Sequence, residues 1–254
     1  MNRLVGVIPA AGRGKRTPFL PCSKEIFPIG FMDIMVEGQM QRRPKAVGSY
    51  LLERMVMAGA DRILMVSNRD KADILRYFGG GLDWGAQIAY LVQENTWGMP
   101  YALDLAYPWL RDETVLFGMP DTIFEPFDAF KQLLAEHRRT SAALTLGLFP
   151  TDAPERFGMV AFHEGWMLYT VDKPAQTDLT HMWGIACWEP SFSQFMHEHL
   201  GALTPPAHEI VLGDVFQAAL EAGLAVQVLP FEDGEYIDIG TPEDLAYAIH
   251  RFSR

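Results

Sequence analysis

The chain has 254 residues, of which 49% are hydrophobic, and carries a formal net charge of -11. This length and apolar content suit one large α/β domain or two small ones, and the acidic charge argues against a general nucleic-acid binder, which needs a basic face. Glycines and prolines punctuate turns and do not gather into a linker. We therefore predict a single domain over residues 1–254, with a first half of about residues 1–140 and a second half of about 141–254.

The cysteine content and the start of the chain favour a cytoplasmic location. Cys22 and Cys187 are too few for a disulfide framework and lack the spacing of a metal site, which favours a reducing cytosol. Segment 1–9 has a short apolar run that ends at Pro9, so we expect no signal peptide. No stretch approaches the length that spans a bilayer. We expect no membrane or nucleic-acid partner, and a homo-oligomer remains open.

Strands and helices alternate in the first half. An apolar run over residues 4–8 predicts a buried strand, and residues 63–66 predict another. Between them a helix is predicted from Pro44 to Gly59, since apolar residues recur on one helical face: Val47, Leu51, Met55 and Ala58. These elements form a β-α-β unit. The further predictions are strands at 88–92 and 114–117, and helices after Pro100 and over 127–139.

The second half is richer in strands. Short apolar runs predict strands at 142–149, 159–162, 167–171 and 185–188, with little helix between them. A helix over 215–223, a strand over 225–229 and a last helix over 242–252 follow. This order is typical of an α/β protein with a nucleotide-binding first half and a more strand-rich substrate-binding half.

A basic loop that contains glycine follows the first strand. Gly12 and Gly14 let backbone N–H groups approach an anion closely, and the same segment concentrates cations at Arg13, Lys15, Arg16 and Lys24. The spacing fits neither the GxxxxGK[ST] phosphate loop nor the GxGxxG dinucleotide motif. The loop therefore predicts a site for a small polyphosphate of another type.

Asp121 and Asp238 are the candidate metal ligands. Asp121, in GMPDTIF, comes just after an apolar run, which places it near the carboxyl end of a strand, where open α/β sheets bind ligands. Asp238, in EYIDIGTPEDL, precedes the last helix. Taken alone, each is more typical of a turn or cap residue. Together with the basic loop they predict Mg²⁺ on a polyphosphate, because that ion uses one or two carboxylates and takes its other ligands from water and substrate.

Segment 8–30 resembles the signature of the sugar-1-phosphate nucleotidyltransferases, a GxGTR-type loop followed by a Pro-Lys pair. The bacterial uridylyl- and thymidylyltransferases that act on glucose 1-phosphate have a loop that begins PAAG and a lysine followed by glutamate. Pro9 to Gly12 and Lys24-Glu25 match these features. Lys15 departs from the usual Thr or Ser, and Ser23 departs from the usual Pro. The resemblance implies that Ala10 and Ala11, with residues 12–15, bind the nucleotide.

The same resemblance extends along the chain. Asp121 and Asp238 match the aspartate motifs that bind the family's metal ion. In QENTWGMPYAL, the implied contacts to a uracil or thymine edge come from Gln93 and the backbone of Gly98, since an amide both donates and accepts. The implied sugar side consists of Gly158 in FGMV, Asp172 and Lys173 in VDKP, and Gly184 in WGI. Asp172 replaces the usual Glu, and LGD at 212–214 resembles the element that opens a late helix.

The family has a Rossmann-like mixed sheet flanked by helices, a three-layer α/β/α fold of the nucleotide-diphospho-sugar transferase, GT-A-like, type. The implied reaction joins UTP or dTTP to a sugar 1-phosphate, glucose 1-phosphate being the first choice, and yields an NDP-sugar and pyrophosphate with Mg²⁺. Arg16 would hold the β- and γ-phosphates, Lys24 the α-phosphate and Lys173 the sugar phosphate. Two alternatives remain: a cytidylyltransferase with another phosphorylated acceptor, and a nucleotide-binding regulatory relative. The histidines lack metal-ligand spacing, and we expect surface or capping roles for them.

Overall fold

The computed structural model describes residues 3–12, 20–95, 97–203 and 209–252, and these contain thirteen strands and eight α-helices. The strands are β1 (Leu4–Pro9), β2 (Pro28–Val36), β3 (Gln39–Ala46), β4 (Arg62–Ser67), β5 (Gln87–Val92), β6 (Thr114–Gly118), β7 (Thr122–Glu125), β8 (Leu144–Pro150), β9 (Gly158–His163), β10 (Trp166–Asp172), β11 (His181–Trp188), β12 (Val226–Pro230) and β13 (Glu235–Asp238). The helices are α1 (Val47–Met57), α2 (Ala72–Phe78), α3 (Met99–Asp104), α4 (Tyr107–Leu110), α5 (Ala129–Thr140), α6 (Pro190–Ala202), α7 (Leu212–Glu221) and α8 (Pro242–Phe252).

A mixed sheet of nine strands organises the described part of the chain. Its order is β5-β4-β1-β6-β11-β8-β12-β10-β9. The strands β5, β4, β1 and β6 are parallel, whereas β11 is antiparallel to both β6 and β8. Because β1 and β6 are parallel neighbours, the segments that follow them leave the sheet at the same edge.

Helices cover both faces of this sheet. Val5 and Val7 of β1 pack with α3, α6 and α7, while Leu4 and Ile8 pack on the other face with α1, α2 and α5. Successive side chains of a strand point to opposite faces, so a central strand between two helical layers is apolar along its whole length. The predicted Rossmann-like, three-layer α/β/α fold is confirmed.

Two small sheets accompany the main one: the β2–β3 hairpin and the antiparallel pair β7–β13. A separate apolar cluster joins β2, α1, β7, β13 and α8, and its buried members are Ile29, Val47, Tyr50, Ile123, Ile237, Ile239 and Ala248. Burial of an aliphatic side chain stabilises a fold by roughly 1.5–3 kcal/mol. This cluster therefore fixes the β7–β13 pair against α1 and α8.

The helix predicted from Pro44 begins later, at Val47, and Pro44 instead lies in β3. Proline lacks a backbone N–H and is accepted in edge strands, and in the described chain β3 pairs only with β2. The hairpin itself was not predicted: β3 is mainly polar, and the apolar residues of β2 belong to a strand that lies outside the main sheet. Phe31, Met35 and Met40 are all exposed on it.

The expectation that histidines serve as surface or capping residues is wrong for His137 and His181. Both are buried. The His137 ring lies within hydrogen-bond distance of the Thr145 hydroxyl and the Glu189 carboxylate, at 2.8 and 3.2 Å. Burial lowers the pKa of His137, although Glu189 opposes the effect. Buried histidines of this kind satisfy polar groups between layers, a role that periodicity does not reveal.

None of the helices in the described ranges combines the length and apolar character that crossing a membrane requires. Cys22 and Cys187 are both free thiols, the first half-buried and the second fully buried. Burial raises the pKa of the Cys187 thiol well above its ordinary value, so this side chain behaves as a small apolar residue of β11.

Candidate active site

The candidate site begins at the carboxyl ends of β1 and β6. The Ala10 amide donates to the carbonyl of Val66 at 2.6 Å, which continues the β1–β4 pairing past Pro9. Gly12 follows, and no atom of the described residues lies within 4 Å of the position that a Cβ would take there. The loop backbone therefore faces open space at Gly12. The other predicted loop residues, Arg13, Gly14, Lys15 and Arg16, lie outside the described residues.

Asp121 and Asp238 are brought together by the β7–β13 pair. Asp238 stands opposite Thr122 in the register, and the Ile239 amide donates to the Asp121 carbonyl at 3.1 Å. The predicted positions are confirmed: Asp121 follows β6, and Asp238 ends β13 before α8. The pairing thus brings Asp121 and Asp238, which are far apart in sequence, onto adjacent stretches of backbone.

Lys24 completes this cluster. It lies in a short 3₁₀ turn over Lys24–Ile26, and its ammonium forms an ion pair with the Asp121 carboxylate. Both side chains are largely buried, 14% and 13% exposed. The sequence predicted Lys24 and Asp121 as separate site residues, but it did not predict their contact.

The electrostatics of the cluster favour a charged lysine. Burial lowers the pKa of Lys24, but the negative charges of Asp121, Glu25 and Asp238 outweigh this effect, and the pKa lies above its ordinary value. Burial also raises the pKa of Tyr236, and the charges of Asp238 and Asp121 add to that shift. The cluster therefore concentrates negative charge around one buried cation.

Residues after β4 support the loop, and the sequence analysis missed them. The Asn68 amide donates to the Ala11 carbonyl at 2.7 Å, and the Lys71 ammonium donates to the Ala10 carbonyl at 2.9 Å. Lys71 also pairs with Glu25 at 2.6 Å. Their position in the sequence could have indicated them, because polar residues that follow a buried parallel strand lie at the same sheet edge as the loop.

Gln93 and Gly98, the predicted base-reading pair, lie next to each other. The Gln93 amide donates a long hydrogen bond of 3.4 Å to the Gly98 carbonyl. Gly98 has φ +115, and a Cβ there would lie 2.2 Å from the carbonyl oxygen of Ile210. Glycine is needed at this position for both reasons.

Gly158, Asp172 and Lys173, predicted for the sugar side, also come together. Asp172 stands opposite Gly158 in the β9–β10 register, and the Lys173 amide donates to the Phe157 carbonyl at 2.9 Å. The Lys173 ammonium pairs with the Asp172 carboxylate at 3.3 Å, and the lysine side chain is about half exposed. A cation and a carboxylate are thus presented at one strand end.

Trp183 lies directly over Gly158. A Cβ at Gly158 would come 2.2 Å from the Trp183 indole nitrogen, so the absent side chain makes room for this ring. The family resemblance placed Gly158 on the sugar side and did not indicate which group would take the space of its side chain. In the structure the indole fills it, because Trp183 on β11 packs against the end of β9.

Gly184 connects the sugar side to the carboxylate pair. A Cβ at Gly184 would lie 2.4 Å from the Tyr236 ring, and the Tyr236 hydroxyl donates to the Gly184 carbonyl at 3.3 Å. Tyr236 belongs to β13, the strand that ends at Asp238. Close packing at Gly184 thus helps to set the position of Asp238.

A second acid lies near Asp172. Burial raises the pKa of Asp214, at the start of α7, and the negative charge of Asp172 adds to the shift. These two carboxylates are therefore close enough to interact.

The chain is similar to known proteins in sequence and in fold. The glucose-1-phosphate thymidylyltransferase of Neisseria meningitidis is 26% identical over 247 residues, which cover 94% of this chain and 79% of that protein. Two solved structures share the fold at 19% identity. One is a candidate glucose-1-phosphate thymidylyltransferase from Bacillus anthracis in complex with sucrose, with a TM-score of 0.83 over 98% of this chain and 94% of that one. The other is a UDP-glucose pyrophosphorylase complexed with UDP-glucose, with a TM-score of 0.78 over 99% and 98%.

The family profile described as nucleotidyl transferase matches residues 6–253. This span includes the predicted site residues Lys24, Gln93, Asp121, Lys173 and Asp238. The predicted enzyme class is confirmed at the level of the family. The chain is a member of the nucleotidyl transferase family.

Proposed function

We propose that the protein joins a pyrimidine nucleoside triphosphate, UTP or dTTP, to a sugar 1-phosphate, and releases pyrophosphate. One observation carries this proposal. Lys24, Asp121 and Asp238, from three distant segments, meet at the sheet edge where the loop Ala10 to Gly12 also emerges. A cation beside paired carboxylates and an open backbone loop is suited to binding a polyphosphate with a metal ion.

The loop would bind the triphosphate. The amides of Ala11 and Gly12, with the predicted contacts of Arg13, Gly14, Lys15 and Arg16, would hold the β- and γ-phosphates. Backbone N–H groups and arginine side chains form short, charge-assisted hydrogen bonds to phosphate oxygens. Gly12 suits this role because no side chain of the described residues crowds it.

Family members use a divalent metal ion, and the residues present fit Mg²⁺. Asp121 and Asp238, on adjacent backbone segments, offer hard carboxylate oxygens, the donors that this ion prefers. No group of three or more acidic, histidine or cysteine ligands occurs in the described residues, which suits an ion that takes its other ligands from phosphate and water. When bound, Mg²⁺ would neutralise charge on the phosphates. Lys24 would place a second positive charge at the α-phosphate.

The sugar phosphate would be held by Lys173, and sugar hydroxyls by Asp172. A phosphate oxygen of the sugar 1-phosphate attacks the α-phosphorus, and the bond from this phosphorus to the pyrophosphate oxygen breaks. A phosphate monoester has its second pKa near 6, so it is already an anionic nucleophile at neutral pH and needs no general base. The protein therefore contributes position and positive charge.

The first half of the chain, about residues 1–140, would contact the base, and the second half, about 141–254, would contact the sugar. Gln93 and the Gly98 backbone would pair with the imide edge of uracil or thymine, since the amide side chain both donates and accepts. Gly158 and Gly184 shape the sugar side through the rings that pack against them. Glucose 1-phosphate is the first candidate acceptor.

Pyrophosphate release tests this function. The assay combines Mg²⁺ with each of UTP, dTTP, CTP, ATP and GTP, against glucose 1-phosphate and other sugar 1-phosphates. We expect release only when a pyrimidine triphosphate and a sugar 1-phosphate are both present. Release that does not depend on the sugar phosphate, or nucleotide binding without any turnover, would contradict the proposal.

A further inference from the structure

Ser23, the residue before Lys24, is held by a carboxylate from another segment. Its amide and its hydroxyl each donate to Asp73, both at 2.7 Å. Asp73 lies in the first turn of α2, after β4. Hydrogen bonds to an ionised carboxylate are short and strong, and two of them from one residue fix both its backbone and its side chain.

Glu25, the residue after Lys24, is held from the same segment. Glu25 is 2% exposed and pairs with the Lys71 ammonium at 2.6 Å. That ammonium also binds the Ala10 carbonyl at 2.9 Å, so one side chain links the Lys24 turn to the phosphate loop. Removing one partner of a buried pair leaves an uncompensated charge, which disturbs the local structure strongly.

We propose that segment 68–73 is a brace that aims Lys24 at the carboxylate pair and fixes the phosphate loop beside it. Asp73 and Lys71 are its positioning residues, and Asn68 adds a contact to the Ala11 carbonyl. The brace contacts both neighbours of Lys24, and its role is therefore one of positioning. The effect of the brace on kcat rests on the proposed function of Lys24. Its effect on the local structure around Lys24 and the loop does not.

The brace also explains the departure at Ser23. A proline there would stiffen the backbone, but it would lack the N–H and the hydroxyl that Asp73 accepts. Serine, through its hydrogen bonds to Asp73, also restricts the backbone at residue 23. The two residues therefore work as a pair.

Three variants and a matched control test the brace. Asp73→Asn and Ser23→Ala weaken the hydrogen bonds between Ser23 and Asp73. Lys71→Met removes the ion pair with Glu25 while keeping most of the side-chain volume. Lys45→Met is the control, since Lys45 pairs with Glu53 at 2.5 Å and its side chain is 12% exposed against 10% for Lys71. The two glutamates differ, because Glu53 is 28% exposed and Glu25 only 3%. Lys71→Arg, which keeps the charge, serves as the conservative rescue.

Two readouts are compared in the full-length protein. The first is kcat and KM in the pyrophosphate assay: we expect kcat to fall by roughly tenfold to hundredfold in Asp73→Asn and Lys71→Met, because small misplacements of catalytic groups cost this much. The KM for the sugar phosphate should change less, and Lys71→Arg should recover part of kcat. The control should stay within about twofold of wild type.

The second readout is amide hydrogen exchange in peptides that cover residues 8–12 and 20–26. We expect faster exchange in the brace variants, Ser23→Ala included, and unchanged exchange in Lys45→Met. If wild type shows no turnover, the proposed function fails, and the exchange comparison still decides on the brace. Unchanged exchange in all three brace variants, or normal kcat in an active enzyme, would overturn the proposal.

Discussion

Lys24 is the residue on which the account depends most closely. It is largely buried and pairs with Asp121, and the negative charge of Asp238 helps to raise its pKa. The sequence marked Lys24 through its family motif, but its partner became visible only in the structure, because the contact joins segments that are distant along the chain. Lys71 and Asp73 escaped prediction for the same reason, since each on its own looks like an ordinary polar residue beside a helix start.

Lys24→Met should lower kcat by about a hundredfold, the usual cost of losing one preorganised charge contact in a transition state. Methionine keeps much of the side-chain length, so the effect reports the charge. Steady-state kinetics of pyrophosphate release measures it, with Lys131→Met, on the exposed face of α5, as the control. Near-normal turnover in Lys24→Met would refute the role assigned to this residue.

Asp73 should make stability depend on pH. Burial raises the pKa of Asp73, but hydrogen bonds from Ser23 outweigh it, and the pKa in the folded state lies below the ordinary 3.8. A depressed pKa stabilises the fold above 3.8, and this contribution disappears as the pH falls through the folded-state value. The difference in unfolding free energy between wild type and Asp73→Asn, from urea titrations, should therefore shrink on acidification. A difference that is independent of pH would count against these bonds.

At the scale of the element, the pair β7–β13 decides the geometry of the site. Asp238 ends β13, and Asp121 directly precedes β7. The pair packs on α1 and α8 through an apolar cluster and meets β11 where Tyr236 packs on Gly184. The sequence predicted the strands of the main sheet well, because buried parallel strands read as continuous apolar runs. The strands of this pair, four residues each, are too short for such a run to stand out, and they were missed together with the longer β2–β3 hairpin, which lies outside the main sheet.

Gly184→Ala should destabilise the protein by about 1–3 kcal/mol, the usual cost of forcing extra atoms into a packed core. The added Cβ would lie 2.4 Å from the Tyr236 ring and 2.9 Å from the Phe149 ring. Gly201→Ala is the matched control, because nothing lies within 4 Å of its Cβ position in α6. Chemical denaturation of both variants measures the difference. Equal stability of the two would show that the packing at Gly184 is loose.

At the scale of the whole molecule, the fold was predictable because α/β alternation and apolar runs specify a layered sheet. The candidate site was predictable only in part: family motifs marked Lys24, Gln93, Asp121 and Lys173 separately, and the contact between Lys24 and Asp121 came from the structure. The packing of the Trp183 indole over Gly158 could not be inferred from the sequence, because a glycine does not indicate which neighbouring side chain lies against it. Contacts between segments, which depend on the register of the sheet, account for most of what was missed.

The central claim is that a sugar phosphate oxygen attacks the α-phosphorus with Lys24 and the carboxylate pair in support. The most direct test uses a sugar 1-phosphate whose nonbridging phosphate oxygens are oxygen-18, incubated with UTP or dTTP and Mg²⁺ and analysed by mass spectrometry. The account predicts that all label stays in the NDP-sugar, one labelled oxygen bridging the two phosphorus atoms, that pyrophosphate is unlabelled, and that Asp121→Asn forms no product while folding normally. Label in the released pyrophosphate, or undiminished product from Asp121→Asn, would contradict it.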